Sequence, residues 1–213
     1  MPSGKEKLLK SVKIPVALVL SMWLVAVTEA VLKTDFAMYG IKPLTLQGIT
    51  GIFLAPFIHG SWQHLMSNTP GVFVLGVMMN YFYPSVSKIS MLLIFLLSGL
   101  GVWLFGRNSF HIGASGLIYG FAFFTFFSAV FRKDVRSLAI SFFIILFYGG
   151  IIWGMLPVDN TISHESHISG AISGTLLAYW GRKSDVMPQS VVEEVTEQHT
   201  MPSYKEFQEQ KDS

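Results

Sequence analysis

The 213-residue chain has no cysteine, which excludes a disulfide framework and a thiol nucleophile. Charge is scarce: Asp, Glu, Lys and Arg make up 13% of residues, against about 25% in soluble domains, so a water-solvated globule is excluded. The formal net charge of +2 is too small to suggest a nucleic-acid partner. The Lys-rich residues 1–13 lead into a long apolar run with no small-residue cleavage site, so they are expected to be a cytoplasmic leader to a first span rather than a removed signal peptide. There is no internal repeat.

Apolar residues fill that space: 51% of the chain is hydrophobic, in stretches that approach bilayer-spanning length. Six such segments are expected to be spanning helices, at Ile14–Leu32, Trp62–Tyr81, Ile89–Phe105, Ala114–Phe131, Leu138–Met155 and Ser163–Trp180. The fold class is therefore all-α and polytopic, with one helical domain over residues 14–183 and no room for a second. Between the first two segments, the apolar stretch 49–58 is interrupted by Gly51 and Pro56 and is too short to span, so it reads as an interfacial or re-entrant loop. From residue 184 to 213 the composition turns polar and acidic and cannot build a core, which predicts a flexible or weakly helical tail.

Lys and Arg set the expected orientation. With the N-terminus inside, Lys5, Lys7, Lys10, Lys13, Lys88, Arg132, Lys133, Arg136, Arg182 and Lys183 fall on the cytoplasmic side, and only Lys33, Lys42 and Arg107 outside. Ten against three is a strong positive-inside bias that places both termini in the cytoplasm. The second, fourth and sixth segments then run in the same direction, and their depths can be compared at about 1.5 Å per residue. Ser115 lies about 25 Å above the cytoplasmic edge marked by Arg132, His167 about 23 Å above Arg182, and Asn68 about 24 Å above Pro84. These polar residues share one plane a few ångströms below the outer surface of a core about 30 Å thick, shallow enough to admit water. Polar groups at such a depth are costly and point to function.

Their chemistry suits hydrolysis. A serine hydroxyl becomes a nucleophile when a neutral imidazole accepts its proton, the role His167 could play for Ser115. Ser115 also begins a helix, where free N–H groups favour developing negative charge. His64 and Asn68, four residues apart, project from one helix face and can donate to the same oxyanion. Gly116 and Gly120 against Gly170 and Gly174 form small-xxx-small faces that let two helices approach closely enough for Ser115 and His167 to meet.

Blander readings apply to individual residues. Serine, glycine and single histidines are common at helix crossings in membranes, and it is the coincidence of residue type, helix parity and depth that singles out this set. His59 reads as structural, bracing the loop into the second span; His111, four residues before the serine, reads as satisfying its own loop ahead of the alternative of donating near the site. Glu29 reads as a proton relay or as a hydrated residue near the outer interface. His164 and His167 have one residue too few between them for the zinc helix motif, and no third ligand is evident, so neither metal nor cofactor is expected. A transporter would carry ionisable residues along a path through several spans, whereas here they cluster in one layer.

Three strings carry a family resemblance: HGSWQHLMSN at 59–68, GASGLIYG at 113–120 and HISGAISG at 167–174. In kind, order and position they resemble the signature segments of rhomboid intramembrane serine proteases, over the stretch from Ile14 to Trp180. The resemblance implies a six-transmembrane-helix rhomboid-like bundle and a Ser115–His167 dyad without an acidic third member. It further implies an oxyanion site formed by His64, Asn68 and the Ser115 N–H, with Gly113, Gly116, Gly170 and Gly174 in support and Tyr119 packed on the His167 ring. Expected partners are single-span transmembrane substrates and membrane lipid. The segment Gly40-Ile41-Lys42-Pro43 is most similar to compact bacterial members, which implies the cell membrane as location. The sequence departs from the family in lacking a Trp-Arg pair in the first loop, and in carrying Asn80 where some members have glutamate. A catalytically inactive rhomboid-like client-binding protein is the alternative, although such relatives typically lose the serine or histidine and this chain has both.

Overall fold

The computed structural model describes residues 3–158 and 162–186. Among the described residues there are seven α-helices: α1 (Gly4–Leu32), α2 (Leu46–Leu54), α3 (Trp62–Phe82), α4 (Ser87–Phe105), α5 (Ser115–Arg132), α6 (Val135–Tyr148) and α7 (His164–Trp180). Among the described residues there is no strand; a single antiparallel bridge joins Ile41 to His111. Residues 187–213, most of the expected acidic tail at 184–213, lie outside the described residues.

Among the described residues four helices are long and apolar enough to cross a membrane: α1, α4, α5 and α6 with its extension to Met155. α3 has the length, at 21 residues, but carries His64, Asn68, Thr69 and Asn80, and α7 has 17 residues. Both pack within the bundle: Thr69 and Asn80 of α3 face α1, while His64 and Asn68 face the loops at His59 and Gly113. α5 is its centre, in contact with α3, α4, α6 and α7 and two-thirds buried. Phe121, Phe124, Leu75, Met79, Val72 and Ile94 form a core around it. Outward faces are apolar as well: Leu24 is 68% exposed, Phe105 82% and Phe142 67%, while Thr125, Ser90 and Ser128 are fully buried. A surface of that kind is stable in hydrocarbon and would aggregate in water.

Local chemistry moves three element boundaries from those expected. α1 begins at Gly4, ten residues before Ile14, because Ser3 and Glu6 form a reciprocal capping box. It ends at Lys33, in the left-handed conformation with φ 51°. The segment expected as a broken apolar loop contains a helix, α2, capped by Thr45 and closed by a 3₁₀ turn through Pro56. α2 lies against α4, with Ile52 seated on Gly99, where an added Cβ would come within 2.8 Å of the isoleucine. The fifth segment does not stay α-helical to Met155. It tightens into 3₁₀ turns over Gly149–Met155, beginning at the Gly149-Gly150 pair, whose helix propensity is low.

α1 is fastened along α3. Pro15 packs on Gly76, Asn80 Nδ2 donates to the Ser11 carbonyl at 3.1 Å, and Trp23 Nε1 donates to Thr69 Oγ1 at 3.1 Å. Asn80 is therefore a tie between the first two long helices. Near the outer end of α1, Glu29 accepts from the Phe36 N–H at 2.7 Å and holds the turn into the following loop. That contact gives Glu29 a structural task.

Candidate active site

Ser115 is the first residue of α5, and the loop before it is tied down on both sides. Gly113 N–H donates to the Ala55 carbonyl at 2.8 Å, fixing the loop to the turn after α2. His111 pairs with Ile41 through two main-chain bonds of 2.9 Å. Gly113 has φ +101°, a conformation that strains any residue with a side chain. A Cβ there would also lie 2.6 Å from His64 Cε1, 2.7 Å from His64 Nε2 and 3.5 Å from Asn68 Nδ2. The two α3 side chains thus close on the main chain two residues before the serine.

His59 backs this pair. Its Nε2 lies 3.1 Å from Asn68 Nδ2, its Nδ1 lies 3.3 Å from the Phe57 carbonyl, and its ring meets that of His64 edge-on with centroids 4.9 Å apart. Because a carbonyl only accepts, Nδ1 carries the hydrogen and Nε2 takes the Asn68 amide proton, so His59 is held neutral. Burial, with the neighbouring His64 adding to it, pushes its pKa down to about 4. Beside His59 opens a cavity of about 460 Å³ lined by Glu29, Lys33, Asp35, Ser61 and Trp62. His59, which lines this space, also contacts both members of the α3 pair.

α5 and α7 meet through glycine. A Cβ on Gly170 would stand 2.0 Å from the Gly116 carbonyl oxygen, and one on Gly174 would stand 2.1 Å from that of Gly120. No other residue allows main chains to approach this closely. One turn below Ser115, the Tyr119 ring stacks on the His167 ring with centroids 4.1 Å apart and planes 7° from parallel. His167 Nδ1 lies 2.6 Å from the Gly154 carbonyl, and Tyr119 donates its hydroxyl to the Ile151 carbonyl. The partners of the His167 ring are thus Gly154 and Tyr119. Among the described residues no hydrogen bond joins the Ser115 hydroxyl to it.

At its N-terminus, α7 is clasped to the α4–α5 loop. Arg107 Nη1 donates to both Glu165 oxygens, at 3.3 and 3.2 Å, and the Arg107 N–H donates to Oε1 at 3.1 Å. His111 Nδ1 lies 2.7 Å from the hydroxyl of Ser163, the residue that caps α7, while its Nε2 lies 3.0 Å from the Arg107 carbonyl. Burial holds the His111 pKa below its ordinary value. Sequence reasoning used Arg107 only as a marker of the outer side and assigned no role at the site to it, to Glu165 or to Gly154. The first two could have been suspected from opposite charges flanking one helix end; a main-chain carbonyl leaves no signal in residue type.

The family model for the rhomboid domain matches residues 47–184, a span holding all but the first residue of α2, all three signature strings and the glycine crossing. The chain belongs to the rhomboid family. Among its relatives, an uncharacterized protein of Mycobacterium tuberculosis is 34% identical over 167 residues, covering 74% of this chain and 70% of that one. An uncharacterized protein of Mycobacterium leprae is 33% identical, with 74% and 66% covered. Rhomboid-like protein 11, chloroplastic, of Arabidopsis thaliana is 28% identical over 185 residues, 74% of this chain and 63% of the plant protein. In this rhomboid-family membrane protein, Ser115, His167, His64 and Asn68 all lie inside the matched span.

Proposed function

We propose that this rhomboid-family protein is an intramembrane serine endopeptidase that cleaves single-span membrane proteins near the extracytoplasmic side. The observation that carries the reading is the convergence of three helices on Gly113–Ser115. α3 supplies His64 and Asn68 against Gly113, α5 begins with the serine, and α7 brings His167 beneath it through the glycine crossing. The positive-inside count supports six spans with both termini in the cytoplasm, and the mycobacterial relatives support a bacterial cell membrane.

In this reading Ser115 Oγ attacks the scissile carbonyl carbon while its proton passes to His167 Nε2. The oxyanion receives donors from the Ser115 N–H, Asn68 and His64, which act on charge present only in the transition state. Collapse breaks the C–N bond, His167 returns the proton to the leaving amine, and an acyl ester remains on Ser115. Water, deprotonated by the same imidazole, then attacks the ester; the carboxylate product leaves and Ser115 regains its proton. No cofactor takes part. A peptide bond within a helix is shielded by its own hydrogen bonds, so substrates should carry Gly, Pro or polar residues in the outer part of their helix, and a small residue such as Ala at the cut.

Labelling with a fluorophosphonate tests the reading: the wild type should be modified and Ser115→Ala should not. A wild-type protein that binds transmembrane helices yet resists labelling and leaves them uncut would be the inactive client-binding alternative. Mass spectrometry of products locates the cut, and a bond in the cytoplasmic third of the substrate helix would refute the orientation.

A further inference from the structure

We propose that the main chain of the Gly149–Met155 turns, through the Gly154 carbonyl, is the third member of the Ser115–His167 pair, in the place that an acidic side chain takes in soluble serine proteases. The proposal rests on the serine-protease reading. A base that accepts the serine proton at Nε2 must hold its own hydrogen at Nδ1, and something must keep it there. The group facing Nδ1 is the Gly154 oxygen at 2.6 Å, which has only lone pairs to offer and so fixes that tautomer.

Two further contacts make this a positioning device. The Tyr119 ring covers one face of the imidazole, 4.1 Å between centroids and nearly parallel, so the ring cannot rotate away from Gly154 without breaking the stack. Tyr119 is itself tied to the same turns by its bond to the Ile151 carbonyl. Position 154 has to be glycine for this arrangement: a Cβ would lie 2.1 Å from the Tyr119 hydroxyl oxygen and 3.2 Å from His167 Nδ1. The acidic side chain nearest in sequence, Glu165, is committed to Arg107. A neutral carbonyl orients the imidazole without placing a carboxylate among buried helices, where an unpaired charge would be costly. During reaction the hydrogen on Nδ1 stays there, donated to the Gly154 carbonyl, while the proton from Ser115 Oγ arrives at Nε2 and leaves from it to the amine.

Two measurements decide it. In protein labelled with ¹⁵N-histidine at pH 8, long-range proton–nitrogen correlations, assigned by their loss in His167→Ala, should show His167 protonated at Nδ1 alone. Protonation at Nε2, or an exchanging mixture of tautomers, would overturn the proposal, and this readout needs no activity. Gly154→Ala should lower kcat by about 100-fold with little change in KM, because the imidazole shifts relative to Ser115. Tyr119→Phe removes the atom that the new methyl group meets, so Gly154→Ala/Tyr119→Phe should regain activity to within about tenfold of Tyr119→Phe alone. A double variant no better than Gly154→Ala would overturn the positioning role. A wild type held at Nδ1–H that neither labels nor cleaves would instead refute the protease reading and leave the hydrogen bond standing.

Discussion

Replacing Gly170 by alanine should push α5 and α7 apart and slow hydrolysis by about 100-fold while the fold persists. The added methyl would sit 2.0 Å from the Gly116 carbonyl oxygen, 2.9 Å from its carbon and 3.2 Å from the Gly116 Cα. All three are main-chain atoms, so no side chain can swing aside. Ordinary contact begins near 3.4 Å, and the helices must therefore part by about 1.4 Å. Overpacking of this kind costs about 1 to 3 kcal/mol, and roughly 1 kcal/mol of that is offset by alanine's better helix propensity. The net loss of stability is small. The same displacement falls between Ser115 and His167, where a misplacement of about 1 Å is worth about 100-fold in rate. Initial rates on a transmembrane-helix reporter, measured beside thermal unfolding in the same detergent, separate the two effects. Ile172→Ala, on the lipid-facing side of α7 where the isoleucine is 56% exposed, is the control and should leave the rate unchanged. Gly170→Ala cleaving within threefold of wild type while folded would refute the claim that this crossing sets the distance between the pair.

Ser115→Ala and His167→Ala should each abolish cleavage without unfolding the protein, and the double variant should be no worse than either, because the pair acts as one unit; initial rates of all three, with additive losses as the refuting outcome, check this. His64→Ala and Asn68→Ala should each lower kcat by roughly 100- to 1000-fold with a smaller effect on KM, and wild-type turnover in both would remove them from the oxyanion site. Stability should depend on pH through His59, whose pKa is about 4 in the fold against 6.5 for a free histidine. The unfolded chain takes up a proton below pH 6.5 that the folded chain refuses until about pH 4, so stability is full above pH 6.5 and falls through that window as acid is added. Thermal unfolding at pH 8 and pH 5 should show this loss, and His59→Gln should reduce it; a melting temperature that is level or higher at pH 5 in the wild type would contradict the assignment.

The helical membrane class and the candidate residues were legible in the chain because both depend on residue type in order along one dimension. An apolar run of a given length must be helical where water cannot satisfy its backbone, and the spacing of Ser115, His167 and Asn68 from basic flanks converts to depth through a constant helical rise. The small-residue faces at Gly116, Gly120, Gly170 and Gly174 could also be read, since close approach demands glycine regardless of the partner's identity. Capping chemistry decided α1: Ser3 and Glu6 start it early, a detail that a hydropathy threshold passes over. α2 escaped notice because its nine residues are too few to span a bilayer and are interrupted by Gly48 and Gly51, with Pro56 close behind, breakers that read as a loop. What only the tertiary structure decided was orientation around the site. The His59 bond to Asn68, the clasp of Arg107 on Glu165 and the Gly154 carbonyl on His167 join residues 9, 58 and 13 positions apart. In the last of these the decisive atom belongs to the main chain, which every residue carries, so only the path of the backbone in three dimensions could place it against Nδ1.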